Sequence, residues 1–533
     1  MTRNQTGRGA LAVAAAAVLA MSACSSTGDT PSVVDESVST GSGSVRGAAE
    51  GDLLRFSDIP YAAPPVDDLR WAAPAEVEPW EGSLDATDAS ARCPQGAGQV
   101  GAPAETPASD DEDCLTLSIT TPADTQEGDL PVIVWIHGGG FATGSGNDYD
   151  PAALSRDGAV VVTVNYRLGL LGYLTLPGLD AGGGFGLLDQ QAALRWVHEE
   201  IAAFGGDPGR VTIAGDSAGA DSVCAQLASP DAADLFQAAI MMSPGCGQVN
   251  VTDAIAPGLG APADTWKPRE LSDEIGAAFA ASVGCADPAT AIDCLRAMDV
   301  DALLEANAAA PIPIFWSPAY GTELLPQRPS DAIAAGEHHD VPVLLSTTQD
   351  EGAFFVGPIF GAAPLDDTTL TQLLALAAPN DAAEASLVYQ SEGATPNRRW
   401  ASVISDRAFT CPTLDIAAGL GEHDDAYLAE FADSSAPNVL STLPADLAGT
   451  ATHGSDVPYV LALDPGQPTL SGDQEAVGEQ MRAAWIAFAS TGDPSTPDHP
   501  WPNVDGGATS IDASGLSVTR VEDLEDSHHC DLW

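Results

Sequence analysis

Val211-Thr212-Ile213-Ala214-Gly215-Asp216-Ser217-Ala218-Gly219 is a short apolar run that ends in a glycine-flanked serine and passes straight into a helix-like segment. Such a serine sits on a turn too tight for side chains on its neighbours, which leaves its hydroxyl clear at the end of a strand. The stretch reads as a nucleophile elbow, and its G-x-S-x-G pattern occurs once in the chain. Alone it carries little weight, because a chain with 53 glycines can produce it as an ordinary strand-to-helix turn.

The upstream sequence supplies the context. Pro131-Val132-Ile133-Val134-Trp135-Ile136 is a continuous apolar run of the kind buried in parallel sheets, and it leads into His137-Gly138-Gly139-Gly140-Phe141. Bare glycine amides approach a substrate closely and point N–H groups at an oxygen that turns negative during acyl transfer. The amide after the nucleophile, that of Ala218, adds another donor. A phosphate cradle is the competing reading of a triple glycine, but it needs Gly-Lys-Ser/Thr, and the only lysine is Lys267. Phe141 reads equally as a pocket-lining ring or as a packing aromatic.

A serine hydroxyl needs a histidine to take its proton and a carboxylate to hold the imidazole, in the chain order Ser, acid, His. Val341-Pro342-Val343-Leu344-Leu345 reads as a strand, and Ser346-Thr347-Thr348-Gln349-Asp350-Glu351-Gly352 follows it. Glu351, just past the strand end, is the candidate acid, with Asp350 as the alternative. Among His423, His453, His499, His528 and His529, the candidate base is His453. It lies in Gly449-Thr450-Ala451-Thr452-His453-Gly454-Ser455-Asp456, a small-residue loop able to carry an imidazole across the top of a sheet. His528-His529 raises the question of a metal site, but no H-E-x-x-H or ligand-spaced Cys/His cluster accompanies it. Neither a metal nor another cofactor is expected.

The balance of 76 acidic against 19 basic residues, a formal charge of −57, argues against nucleic acid or an anionic membrane surface as a partner. Arg3 and Arg8, the apolar stretch Ala10 to Met21 and the small-residue site Met21-Ser22-Ala23-Cys24 read as an export signal. The stretch is well short of the roughly 20 residues that span a bilayer. The site resembles a bacterial lipobox with Met21 in place of the usual leucine, which implies cleavage before Cys24 and lipid attachment to it. The expected organisation is a signal peptide over 1–23, a flexible Ser/Gly/Thr-rich linker over 24–44 and a single domain over 45–533, either anchored to the outer face of the plasma membrane or secreted. The lipid is the only expected membrane contact, and a monomer is expected.

Nine cysteines less Cys24 leave an even eight in a chain read as exported, so disulfides are expected. Spacing suggests Cys93 with Cys114 and Cys285 with Cys294, each closing a short local loop, whereas Cys411 and Cys530 would tie the last residues back to the body. Cys224 and Cys246 remain as a residual pair or as two buried free thiols. Val160 to Val164 reads as a strand, Leu187 to Phe204 as an amphipathic helix, Ala218 to Leu227 as a helix and Ala239 to Met242 as a strand. Strands alternating with helices imply an α/β fold, a large and mostly parallel sheet flanked by helices. The Ala-, Pro- and Asp-rich intervals Val249 to Arg269 and Gly357 to Asn397 read as insertions that cap it.

These residues resemble the type-B carboxylesterase family, which includes bacterial para-nitrobenzyl-type esterases. The likeness runs through Phe56-Ser57-Asp58-Ile59-Pro60-Tyr61-Ala62-Ala63-Pro64-Pro65, Glu112-Asp113-Cys114-Leu115, Asn165-Tyr166-Arg167-Leu168-Gly169 and Phe204-Gly205-Gly206-Asp207-Pro208. It continues in Asp350-Glu351-Gly352, His453-Gly454, Trp485 to Phe488, Gly492-Asp493-Pro494 and Cys530 close to Trp533. The resemblance implies an α/β-hydrolase fold, Ser217 as nucleophile, Glu351 and His453 as acid and base, and the amides of Gly139, Gly140 and Ala218 as oxyanion hole. It also implies the pairs Cys93–Cys114, Cys285–Cys294 and Cys411–Cys530, and offers no counterpart for Cys224 and Cys246. Asp216 stands where the family has glutamate, and Ser57-Asp58 where it has a glycine-bearing pair. The interval between Cys93 and Cys114 holds no aromatic residue, which disfavours a choline ester, because cholinesterases keep there a tryptophan that holds the cation. The expectation is a serine hydrolase of small to medium carboxylic esters. A lipase or a carbamate or lactone hydrolase are alternatives within the family, and a catalytically silent surface-binding protein is the alternative outside enzymes.

Overall fold

Seven parallel strands run side by side in the order Val160–Val164, Leu130–Ile136, Gly206–Asp216, Ala238–Met242, Val343–Thr348, Ala426–Phe431 and Ala508–Asp512. Antiparallel strands extend both edges to make an eleven-stranded sheet among the described residues. These coordinates are a computed structural model that describes residues 34–89, 91–97, 107–248, 265–310, 314–360, 365–438, 443–463 and 469–533. The described residues fall within one compact unit, Val33–Trp533. Cys24 and the signal expected over 1–23 lie outside them.

Leu130–Ile136 and Val160–Val164, inside the sheet, are almost wholly apolar and buried because both faces are covered. Val132, Val134 and Ile136 point into one core with Val160, Val162 and Ile213, while Ile133, Trp135 and Val161 point into the other with Ala214 and Ile240. The helices Phe185–Glu200 and Ala218–Ala228 serve the first core, and the long helix Gly472–Thr491 covers the second through Met481, Trp485 and Phe488. Much of 249–269 is not described, but the 357–397 interval does fold as an addition. The helices Asp367–Ala377 and Ala382–Val388 gather a third cluster with Leu370, Leu374, Tyr389 and Trp400.

The linker expected over 24–44 ends sooner than its composition suggests. Ser37–Thr40 pairs antiparallel with Gly43–Arg46, and Val38 and Val45 are buried in the first core. Alternation of valine with serine and threonine is a half-buried strand pattern, and it outweighs the serine and glycine content. Asp58 lies at φ 58°, at the irregularity in pairing between Phe56 and Ile59, which accounts for the glycine-bearing pair usual there. All four cysteine pairs are bonded, Cys93–Cys114, Cys224–Cys246, Cys285–Cys294 and Cys411–Cys530, with Cα separations of 5.1, 6.0, 5.6 and 5.4 Å. No helix among the described residues is long and apolar enough to cross a membrane.

Candidate active site

The strand Gly206–Asp216 ends at Ser217, whose φ of 56° and ψ of −124° place it in the strained conformation of a sharp strand-to-helix turn. Its N–H donates to the Met242 carbonyl at 3.0 Å, and its carbonyl accepts the Asp221 N–H at 2.9 Å as the helix Ala218–Ala228 begins. Two glycines make this turn fit. A Cβ on Gly219 would stand 2.0 Å from the Ile136 carbonyl oxygen, and one on Gly215 would stand 2.5 Å from the Gly219 carbonyl carbon.

The glycine loop after the neighbouring strand lies against this elbow: a Cβ on Gly138 would stand 2.7 Å from the Asp216 carbonyl oxygen and 3.2 Å from Ser217 Cβ. Gly139 and Gly140 have φ of 104° and 61°. Among the described residues no hydrogen bond takes the N–H of Gly139, Gly140 or Ala218. The loop is held from behind. Gln95 Oε1 accepts from the Thr143 hydroxyl at 2.7 Å and the Gly144 N–H at 2.9 Å, and its Nε2 donates to the Gly144 carbonyl at 2.9 Å. Burial drives the His137 pKa down to about 4, so the ring is neutral and donates from Nδ1 to the Gly138 carbonyl at 2.9 Å. Phe141 is fully buried edge-on to Tyr173, which makes it a packing aromatic.

Glu351 and His453 meet across 102 residues of chain, with Glu351 Oε2 2.5 Å from His453 Nδ1. The second carboxylate oxygen accepts the Thr348 N–H at 2.7 Å, so the acid is oriented by the end of its own strand. Burial opposes a charge on His453, but the attraction and hydrogen bond of Glu351 outweigh it and push the pKa up to about 9. Nε2 of His453 is buried and makes no hydrogen bond among the described residues, so no closed contact joins it to Ser217. Such contacts commonly tighten only when substrate is bound. Asp350 turns elsewhere: its Oδ2 accepts the Ala451 N–H at 3.2 Å and its N–H donates to the Ala451 carbonyl at 2.9 Å, clasping the loop that carries His453.

Several further groups line the site. Phe354, Phe355 and Phe409 place their rings 5.4, 5.4 and 5.1 Å from that of His453. Asp216, Asp221 and Asp456 are buried around the same imidazole, and burial raises the first to about 6 and the second to about 7. The distant His528 bonds two carboxylates, and among the described residues no group of three or more His, Cys, Asp or Glu is disposed to hold a metal ion.

The carboxylesterase family's sequence pattern matches residues 34–533. The chain belongs to the carboxylesterase family. It is 33% identical over 482 residues to the para-nitrobenzyl esterase of Bacillus subtilis strain 168, covering 87% of this chain and 92% of that protein. It is 32% identical to the fumonisin B1 esterase of Sphingopyxis macrogoltabida, covering 94% of this chain and 90% of that protein. A solved PNB esterase matches with a TM-score of 0.75 at 31% identity, over 93% of this chain and all of that one. This carboxylesterase therefore has the α/β-hydrolase fold, and its reaction class is carboxylic ester hydrolysis.

Proposed function

We propose that this carboxylesterase hydrolyses small to medium carboxylic esters through Ser217, His453 and Glu351. The carrying observation is the Glu351–His453 hydrogen bond, formed beside a strained elbow that presents Ser217. In this reading His453 Nε2 takes the proton from Ser217 as Oγ attacks the ester carbonyl, and Glu351 holds the proton on Nδ1 and offsets the imidazolium charge. The amides of Gly139, Gly140 and Ala218 receive the developing oxyanion. His453 then protonates the leaving alcohol. Water, deprotonated by the same nitrogen, attacks the acyl-enzyme and releases the acid and free Ser217. The four disulfides support export to an oxidising compartment, and the lipobox-like Met21 to Cys24 supports lipid anchoring there.

The test is hydrolysis of para-nitrophenyl esters from acetate to palmitate by the mature chain and by Ser217→Ala. Loss of turnover in the variant with an optimum at short to middle chain lengths is expected. An optimum at palmitate would replace the esterase by a lipase. A folded parent inactive on every ester would favour the silent binding protein.

A further inference from the structure

Away from the elbow, the described residues bury a second charged cluster at the C-terminal end. His528 Nδ1 is 2.6 Å from Asp406 Oδ1 and its Nε2 is 2.7 Å from Glu430 Oε1. The three side chains belong to residues only 5%, 3% and 5% exposed. The Tyr389 hydroxyl donates to the other oxygen of Asp406 at 2.7 Å and accepts the Trp533 indole N–H at 2.9 Å. Burial opposes charge on His528, but its two hydrogen bonds outweigh that and push the pKa up to about 10. The ring is therefore an imidazolium that donates from both nitrogens.

Three buried charges are a costly way to fasten a chain end, because desolvation takes back most of the Coulombic gain. The end is already stapled by Cys411–Cys530, two residues from His528. The ionic cluster adds registry. Asp406 belongs to the π-helical turn Ser405–Thr410, inserted between the helices Pro396–Ile404 and Cys411–Gly421. Such wide turns are rare and concentrate at functional sites.

This turn touches both halves of the acid–base pair. Ser405 Oγ accepts the N–H of Gly352, the residue after Glu351, at 2.9 Å. Phe409 packs its ring 5.1 Å from that of His453. On the other side of the imidazolium, Glu430 stands opposite Thr347 in the strand that leads to Glu351. His528 thus ties to the sheet the turn that meets the acid loop through Ser405 and the base through Phe409.

We propose that His528 is a positioning residue for ester hydrolysis, by which the C-terminal segment holds the acid loop and the base in register. The proposal rests on the roles assigned above to Ser217, His453 and Glu351. It is tested with His528→Gln and with Asp406→Asn, which removes the charge paired with the imidazolium and carries the test if the first variant does not fold. Active sites are counted with a phosphonate that labels Ser217, and kcat, KM and the urea midpoint are measured with para-nitrophenyl butyrate. The expected result is kcat per titrated site lower by about tenfold to a hundredfold with little change in KM, the scale of a reacting group displaced by up to about 1 Å. The double variant loses no more than the worse single variant, because both act through one contact. A lower urea midpoint with kcat per titrated site unchanged, or additive losses in the double variant, would overturn the proposal. Turnover that survives Ser217→Ala would instead remove the reading beneath it, whatever His528→Gln shows.

Discussion

Replacing Asp221 by Asn should stabilise the protein, and more so as pH rises. The residue is 6% exposed, one helical turn beyond Ser217, and its Oδ1 has no hydrogen-bond partner among the described residues. Burial, with a further contribution from Asp216, outweighs the Gly245 N–H and the His453 charge and raises its pKa to about 7 from an ordinary 3.8. Ionising it in place therefore costs about 4 kcal/mol, at about 1.36 kcal/mol for each pH unit. Because the folded pKa is raised, the folded state holds its proton longer than the unfolded chain, and stability falls as pH climbs from about 4 to about 7. Asparagine matches the protonated carboxyl in shape and in having one donating and one accepting side, so it removes the ionisation cost and little else. The gain should be near zero at pH 4, about half its full size between pH 5 and 6, and up to about 4 kcal/mol at pH 8. Urea unfolding followed by the fluorescence of the 10 tryptophans, run on both proteins across that range, measures it. A variant no more stable than the parent at pH 8, or a gain independent of pH, would refute the reasoning.

Two further outcomes follow from the site. With His453 pushed up to about 9, the proposed base carries its proton at neutral pH, so kcat/KM should climb through the alkaline range and level off above about pH 9. The stabilisation from its pairing with Glu351 is present below pH 6.5 and fades over the same climb; an acid limb at or below 6.5 in the pH–rate profile would contradict this. Gly219→Ala would press a methyl to within 2.0 Å of the Ile136 carbonyl oxygen, so the elbow must distort. Its kcat should drop by about a hundredfold or more, in line with a displaced reacting group, and an active variant would show the turn to be looser than described.

The central strands were legible because an apolar run covered on both faces looks the same in sequence and in structure, as Pro131 to Ile136 and Val160 to Val164 show. The elbow and the glycine loop were legible for a related reason. Their chemistry needs backbone that only glycine permits, so steric necessity writes itself into local sequence. Glu351 and His453 could be proposed from chain order and loop composition, and Asp350 stood beside Glu351 as an equal type of acid. Their separation was a matter of direction: one carboxylate turns to the imidazole and the other to the Ala451 backbone.

Other features were masked by composition or left no local mark. The hairpin at Ser37–Arg46 was hidden by a linker-like composition, and its two inward valines count only once a core exists to receive them. Asp221 and Asp456, buried around His453, were two among 76 acidic residues until tertiary packing removed their water. His528 is bonded to residues 122 and 98 positions away. Local sequence by itself determined the strands, the elbow, the glycine loop and the candidate reacting residues, because those depend on backbone sterics and short-range patterning. The tertiary structure alone decided which carboxylate meets the imidazole, which acids lose their solvent and how the chain end is tied in. Charge energetics depend on distance and burial, and both are set by residues far apart in the chain.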